Sequence, residues 1–310
     1  MAVTTRKGVY PMKHPIILDT DPGIDDAVAM IVLHRFCKND IRLIVAGYGN
    51  IKAEQTVKNA LLMCDLLSMD TPVLKGAVVP QYGSYEDAAH IHGADGLGGM
   101  SLGTSKKQPL ASSDFLKTLY DTIIEAGTVD YITLGPLTNL ALLLKRYPDV
   151  RSHIARVVTM GGGIACGNVT PHAEFNIHCD AESADEVFAS GLPIALVPLD
   201  TTNHVAFSME QIESLSSVKT PLACLMQKIL EENYKNCTRY GEEGSTMHDS
   251  TAVLYYLFPE YFKTEPCGIT VDTNKYYGKT IVTKERNHVT LIKGAERQTL
   301  CDLILSCITS

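Results

Sequence analysis

The sequence predicts an α/β fold: a mostly parallel open sheet with helices on both faces, formed as a single domain over residues 1–310. Three observations predict it. Short apolar, β-branched runs alternate with segments of helical period along most of the chain. The runs are too uniformly apolar for one wet face, as strands covered on both faces are. No Ser/Gly-rich or Pro-rich tract, block of like charge or internal repeat divides the 310 residues.

Taken in order, Ile16 to Leu18 read as a buried strand, Pro22-Gly23 as a turn, and Asp25 or Asp26 as the start of a helix carrying Ala27, Met30, Ile31 and Leu33. Ile41 to Gly47 is a second strand, followed by a helix through Ala53, Val57, Ala60, Leu61, Cys64 and Leu67. Val73-Leu74 is a short strand. Residues 80–105 form a long loop rich in glycine and hydroxyls, of the length that is usually functional. A helix runs from Ser113 to about Ala126, then a strand from Tyr131 to Leu134, then a helix with Leu137, Leu140, Ala141 and Leu144 on one face. Arg156 to Met160 is a strand that ends in Gly161-Gly162-Gly163. Residues 164–179 show weak periodicity and read as loop. Ala181 to Ser190 is helical with Gly191 as its stop, and Ile194 to Pro198 is a strand. Pro221 to about Lys235 is a helix, residues 240–246 are a loop rich in glycine and acid, and a helix starts at Met247-His248-Asp249-Ser250. Residues 267–292 read as short strands with turns at Thr273-Asn274 and Arg286-Asn287, and a last helix closes the chain. The order of these elements gives the Rossmann-like class of open sheet.

Composition excludes several functions. A net charge of −8 argues against a nucleic-acid or anionic-membrane surface and favours a small neutral ligand or a cation. No apolar stretch is long enough to cross a membrane. The nine cysteines are scattered and none forms a CxxC pair, as in a reduced, cytoplasmic protein. The last four residues resemble a prenylation box at Cys307, but Leu300, Leu303, Ile304 and Cys307 also share one face of a helix, and the helix is the preferred reading.

The polar residues that this pattern leaves over share a location. Asp21, Asn50, Leu134, Gly161 and Asp200 fall at or just past the C-terminal ends of strands, the edge where open α/β sheets bind ligands. The loop after the first strand holds Asp19, Asp21, Asp25 and Asp26. Two unit charges about 4 Å apart repel by roughly 4 kcal/mol at an effective dielectric near 20. A helix N-terminus offsets about 0.3–1 kcal/mol per charge. A divalent cation is the simplest way to hold such a loop together. Asn50, Asn168, Asn176 and Glu174 supply donors and acceptors for hydroxyls. An aspartate beside a water could act as its base, and His248 could supply a proton to a leaving group. These parts suit hydrolysis of a glycosidic bond on a sugar with neighbouring hydroxyls. Each asparagine taken singly could equally satisfy loop backbone.

The motifs Asp19-Thr20-Asp21-Pro22-Gly23-Ile24-Asp25-Asp26, Gly49-Asn50, Gly135-Pro136-Leu137-Thr138-Asn139, Met160-Gly161-Gly162-Gly163, Glu174-Phe175-Asn176 and Met247-His248-Asp249 resemble those of the nucleoside hydrolases, in that family's order, across about residues 15–255. These are calcium-dependent ribonucleoside N-glycosidases of the inosine–uridine-preferring type. The resemblance implies Ca2+ held by Asp21, Asp26, Asp249 and the backbone carbonyl of Leu134, with Asp21 also the base for the attacking water. It implies ribose contacts from Asp25, Asn50, Asn168, Glu174 and Asn176, with Met160 packing nearby. It makes His248 the acid at the leaving base, with His92 at the same end and Asp19 supporting the loop. It also implies a homodimer or homotetramer.

Two positions depart from the family pattern. Ser250 stands where proline often follows the His-Asp pair, and Leu134 stands where threonine often supplies the carbonyl; neither change removes a ligand atom. The chain has no tryptophan, so a base cannot be stacked between indoles as in the purine-specific branch, and His248 favours pyrimidine acceptance with or without purines. Two rival readings remain at this stage: an aspartyl-phosphate phosphatase, which also opens with DxD after a strand, and a non-catalytic ribonucleoside-binding protein. The first usually has Gly-Thr after its second aspartate, where this chain has Pro22-Gly23. The second has no use for a base and an acid.

Overall fold

A computed structural model describes residues 14–100, 103–285 and 287–310. The strands are β1 (Ile16–Thr20), β2 (Ile41–Ala46), β3 (Val73–Lys75), β4 (Val129–Thr133), β5 (Ile154–Met160), β6 (Ile194–Val197), β7 (Ala206–Phe207), β8 (Ser245–Thr246), β9 (Phe262–Asp272), β10 (Lys279–Thr283) and β11 (Val289–Ala295). Nine of them form one sheet in the order β10-β9-β11-β6-β5-β4-β1-β2-β3, and β7 pairs with β8 apart from it. The pairs from β3 across to β6 are all parallel, as is β6 with β11; β9 lies antiparallel between β11 and β10.

Alternation along the strands divides the core into two layers. Ile16, Leu18, Ile44, Ile132, Val158 and Val197 face one side, where the helices Ile24–Cys37, Ala53–Leu66, Pro221–Arg239, His248–Leu257 and Arg297–Thr309 pack. Ile17, Leu43, Val45, Tyr131, Val157 and Leu196 face the other, under the helices Phe115–Ala126, Thr138–Arg146 and Ala181–Phe188. Strands β1, β4 and β6 are therefore buried at every position, because each face must exclude water. The first helix is buried along most of its length and packs on His248–Leu257. That packing sets the N-termini of two helices, one bearing Asp25 and Asp26 and the other Asp249, at the same edge.

Several expected boundaries shift. The first helix begins at Ile24, with Gly23 as N-cap and the Asp26 carboxylate accepting from the Gly23 amide at 2.9 Å, so the acid helps cap the helix from within its first turn. Residues 164–179, expected as loop, contain a short helix at Phe175–Cys179. Glu174 caps it, its oxygens accepting from the Asn176 and Ile177 amides, which is enough to order one turn without an apolar stripe. Strand β9 starts at Phe262, five residues before the expected strands; its first half is exposed and lacks the apolar run. The turn expected at Arg286-Asn287 lies partly outside the described residues. Cys307 sits on the buried face of Arg297–Thr309 with Leu300 and Ile304, its thiol pushed up to about 11 by burial, so the helix reading of this segment holds. The nine cysteines are all free thiols. Among the described residues, no helix is long and apolar enough to cross a membrane.

Candidate active site

A cleft of about 410 Å³ opens at the C-terminal edge of the parallel strands. Asp25, Asn50, His92, Leu134, Met160, Asn168, Glu174, Asn176, His248 and Asp249 all line it. They come from the ends of β1, β2, β4 and β5, from the loops that follow, and from the start of His248–Leu257. Asp21 and Asp26 are buried and joined to the cleft wall through Asn50. The Asn50 amide donates to Asp21 Oδ2 at 2.7 Å, and its side chain donates to Asp26 Oδ2 at 2.9 Å and to the Asp21 carbonyl at 3.3 Å. Every sequence-predicted site residue therefore belongs to one connected region.

Asp25, Asp26 and Asp249 converge most closely, with a carboxylate oxygen of each within 4.8 Å of the others. Asp21 lies against glycine on two sides. A Cβ at Gly49 would fall 2.0 Å from its Oδ2, and one at Gly135 would fall 2.4 Å from its Oδ1. Oδ1 of Asp21 is buried and has no hydrogen-bond partner among the described residues. Burial and mutual repulsion push the acids up: Asp21 and Asp249 well above the usual carboxylate range, Asp25 and Asp26 less so. His248 opposes the rise at Asp25.

An orphaned buried oxygen and three converging carboxylates make an all-oxygen donor set, which fits a hard divalent cation. The Leu134 carbonyl, which accepts from Asn176 Nδ2 at 2.7 Å, keeps a second lone pair for such an ion.

The sugar-type polar groups are held by the backbone. Glu174 accepts from the Gly162, Asn176 and Ile177 amides at 2.8, 2.8 and 3.1 Å; burial raises its carboxyl, and these bonds oppose the rise. The Asn168 carbonyl oxygen accepts from the Phe175 amide at 2.9 Å, which leaves its NH₂ group for the cleft. His248 Nδ1 meets Thr202 Oγ1 at 2.7 Å. His92, edging the cleft beside the Ile24 amide at 3.3 Å, is pushed down to about 4, chiefly by desolvation. His90, read from sequence as a surface residue, is exposed and stands at the cleft mouth, edge-on to Tyr240 at 6.1 Å.

Other strand-end residues serve the scaffold. Asn139 donates to Asp19 at 2.8 Å and accepts from the Ala77 amide, and Tyr131 also donates to Asp19, at 2.7 Å. Asp200 accepts from the Ile164 and Ala165 amides. Sequence reasoning missed Thr202, Asn203, Asn233, Cys237, Tyr240 and Glu242 around the cleft. Only the composition of residues 240–246 could have marked any of them.

Asp19 gives a pH prediction. Burial raises its carboxyl from 3.8 to about 7. The folded protein then binds more protons than the unfolded chain between those values, so this contribution is full below 3.8 and lost as pH rises to about 7. In chelator, Asp19→Asn should flatten the fall of the thermal midpoint between pH 5 and pH 8. Equal slopes for parent and variant would refute it.

Three comparisons bear on this site. A family model described as inosine-uridine preferring nucleoside hydrolase matches residues 16–302. The non-specific ribonucleoside hydrolase RihC of Klebsiella pneumoniae is 37% identical over 277 residues, covering 88% of this chain and 90% of its own. Its namesake from Escherichia coli is 37% identical over 274 residues, covering 87% and 88%. Among solved structures, a purine-preferring ribonucleoside hydrolase from Gardnerella vaginalis superposes with a TM-score of 0.90 at 27% identity, covering 95% of this chain and 98% of its own. The plant nucleoside hydrolase PpNRh1 gives 0.88 at 25% identity, covering 96% and 99%.

Proposed function

Because the chain belongs to the inosine-uridine preferring nucleoside hydrolase family and is a ribonucleoside hydrolase, we propose that it hydrolyses the N-glycosidic bond of uridine and inosine in a calcium-dependent reaction, as one catalytic domain. The observation that carries the reading is the buried, unpartnered Oδ1 of Asp21 beside converging carboxylates, in a cleft whose described wall has no lysine or arginine. A wall without cations suits an uncharged nucleoside and does not favour a phosphate-bearing substrate.

Asp21, Asp26, Asp249 and the Leu134 carbonyl would hold the ion. Calcium bound there would offset the carboxylates' repulsion and fix vicinal hydroxyls and a water near the anomeric carbon. Asp25, Asn50, Asn168, Glu174 and Asn176 bind the ribose hydroxyls, and Met160 packs nearby. Asp21 takes a proton from the attacking water as its oxygen adds to C1′. The glycosidic electron pair leaves with the base nitrogen through an oxocarbenium-like state. His248 meets the negative charge that develops on the departing base, and His92 borders the same end. The same reading makes the protein a cytoplasmic enzyme of nucleoside salvage working as a homodimer or homotetramer, which sedimentation would check.

A reducing-sugar assay on uridine, cytidine, inosine and adenosine, with phosphate release from nucleotides run beside it, tests the function. Free base and ribose from uridine and inosine, with no phosphate, is the expected result. Phosphate without free base would convert the reading to a phosphatase, and binding without turnover to a binding protein. Inosine or adenosine turnover with no uridine turnover would sink the pyrimidine assignment.

Metal dependence is tested separately. A chelator should abolish turnover and lower the thermal midpoint, and calcium should restore both. Because stabilisation follows RT ln(1 + [L]/Kd), calcium at about 100-fold its Kd should add about 2.7 kcal/mol. Full activity after exhaustive chelation would rule out the cation.

A further inference from the structure

We propose that Thr202 is a positioning residue that fixes His248 as the Nε2–H tautomer and so presents an N–H donor to the departing base. The inference rests on the reading of His248 as the donor at the leaving group, and goes beyond it by saying which nitrogen carries the proton and why.

Thr202 ends the short helix Leu199–Thr202, which follows β6 at the same sheet edge as the acidic loop. It is fully buried, and its hydroxyl lies 2.7 Å from His248 Nδ1. A threonine hydroxyl has one hydrogen and two lone pairs, and a neutral imidazole has one donor and one acceptor. Either atom could donate across this contact, so the choice turns on where the hydroxyl hydrogen can go.

Among the described residues, Thr202 Oγ1 has no other hydrogen-bond partner. A helical threonine ordinarily turns back to the carbonyl four residues earlier. Here that is the Pro198 carbonyl, which already accepts from the Thr201 and Thr202 amides at 2.9 and 3.0 Å. The neighbouring Thr201 hydroxyl goes elsewhere, to the Ile292 carbonyl at 2.8 Å. If Nδ1 carried the ring proton, the buried Thr202 hydrogen would face no acceptor and lose its solvation uncompensated. With the hydroxyl donating to Nδ1, both groups are satisfied. The ring's single proton is then on Nε2.

The other nitrogen is thereby set as a donor. His248 lines the cleft, so an Nε2–H is available where negative charge develops on the base as the glycosidic bond breaks. The opposite tautomer would offer that charge a lone pair, which repels it. Thr202 is not among the residues lining the cleft, and acts only through the imidazole.

The test uses the whole enzyme loaded with calcium. Nitrogen-15 NMR of the imidazoles, with His248 assigned by its loss in His248→Asn, should show an Nε2–H ring in the parent and a mixture in Thr202→Val. In steady state, Thr202→Val should lose about tenfold in kcat on uridine with KM within about twofold, while nitrophenyl riboside, whose leaving group needs no donor, is unaffected. Thr202→Ser, which keeps the hydroxyl, should restore the parent tautomer and most of the rate.

An Nδ1–H ring in the parent, or undiminished uridine turnover in Thr202→Val, overturns the proposal. So does equal loss on both substrates, which marks a merely structural role. If His248→Ala fails to separate the two substrates, the donor reading of His248 falls. The NMR result then still decides whether Thr202 sets the tautomer.

Discussion

Asp21→Ala is expected to lose several orders of magnitude in kcat/KM on every nucleoside, the largest effect of any single substitution in this chain. Two roles vanish together. General-base help alone is worth about 10²–10⁴-fold. A cation ligand is lost as well, so calcium should bind more weakly and the ribose hydroxyls lose their anchor. The stability consequence runs the other way. Asp21 is buried with its carboxyl pushed well above the usual range, chiefly by burial and then by Asp26. Without the cation, the ionised carboxylate is therefore a burden on the fold near neutral pH. Alanine also strands the Asn50 amide that Asp21 Oδ2 accepts at 2.7 Å, a cost of about 1–3 kcal/mol. Asp21→Asn keeps an acceptor for that amide. In chelator, the asparagine variant should melt at or above the parent, and with calcium below it. Measuring both melts and uridine kcat/KM separates loss of chemistry from loss of fold. Near-normal turnover by either variant would refute the assignment of Asp21.

The same residue shows why so much of the site was legible in the sequence. Four acids within eight positions after an apolar run are electrostatically unreasonable unless something gathers them. A parallel sheet sends the ends of β1, β2, β4, β5 and β6 to one edge whatever the details of the loops. Position along the chain thus already predicted that Asp21, Asn50, Leu134 and Gly161 would meet. Composition could not divide the asparagines. Asn50 and Asn176 line the cleft, while Asn139, in an equally suggestive motif, supports Asp19 and the Ala77 amide. Nothing local distinguishes them, because the difference is which way a side chain points after the sheet has assembled. Thr202 was invisible for the same reason. Its partner is 46 residues away, and a threonine after a strand is ordinarily just a helix residue. The turn at Phe175–Cys179 escaped because five residues carry no measurable period, and its stability comes from the Glu174 cap. The first half of β9 escaped because its residues Lys263 to Pro266 are exposed and polar, and only pairing with β11 makes them a strand.

His248→Ala is expected to separate two kinds of substrate. The C–N bond of uridine or inosine breaks with its electron pair moving onto the base, and a donor beside that base lowers the barrier. A nitrophenolate carries its own negative charge well and gains little from a donor. Turnover of uridine and inosine should therefore fall by about 10²–10⁴-fold, with nitrophenyl riboside changed only slightly. The geometry permits this selectivity. His248 lines the cleft, and the proposed ribose contacts Asn168 and Glu174 are held by backbone amides rather than by the imidazole. Alanine has ample helix propensity at the first position of His248–Leu257, so the neighbouring Asp249 should keep its place and the calcium-induced rise in thermal midpoint should persist. That rise is the control: a variant that keeps it and loses only the nucleosides has lost a donor. Equal damage to both substrate types would instead assign His248 to binding or to the architecture around Asp249. Undiminished uridine turnover would leave the departing base without any donor from this helix, and would turn attention to His92 at the same end of the cleft.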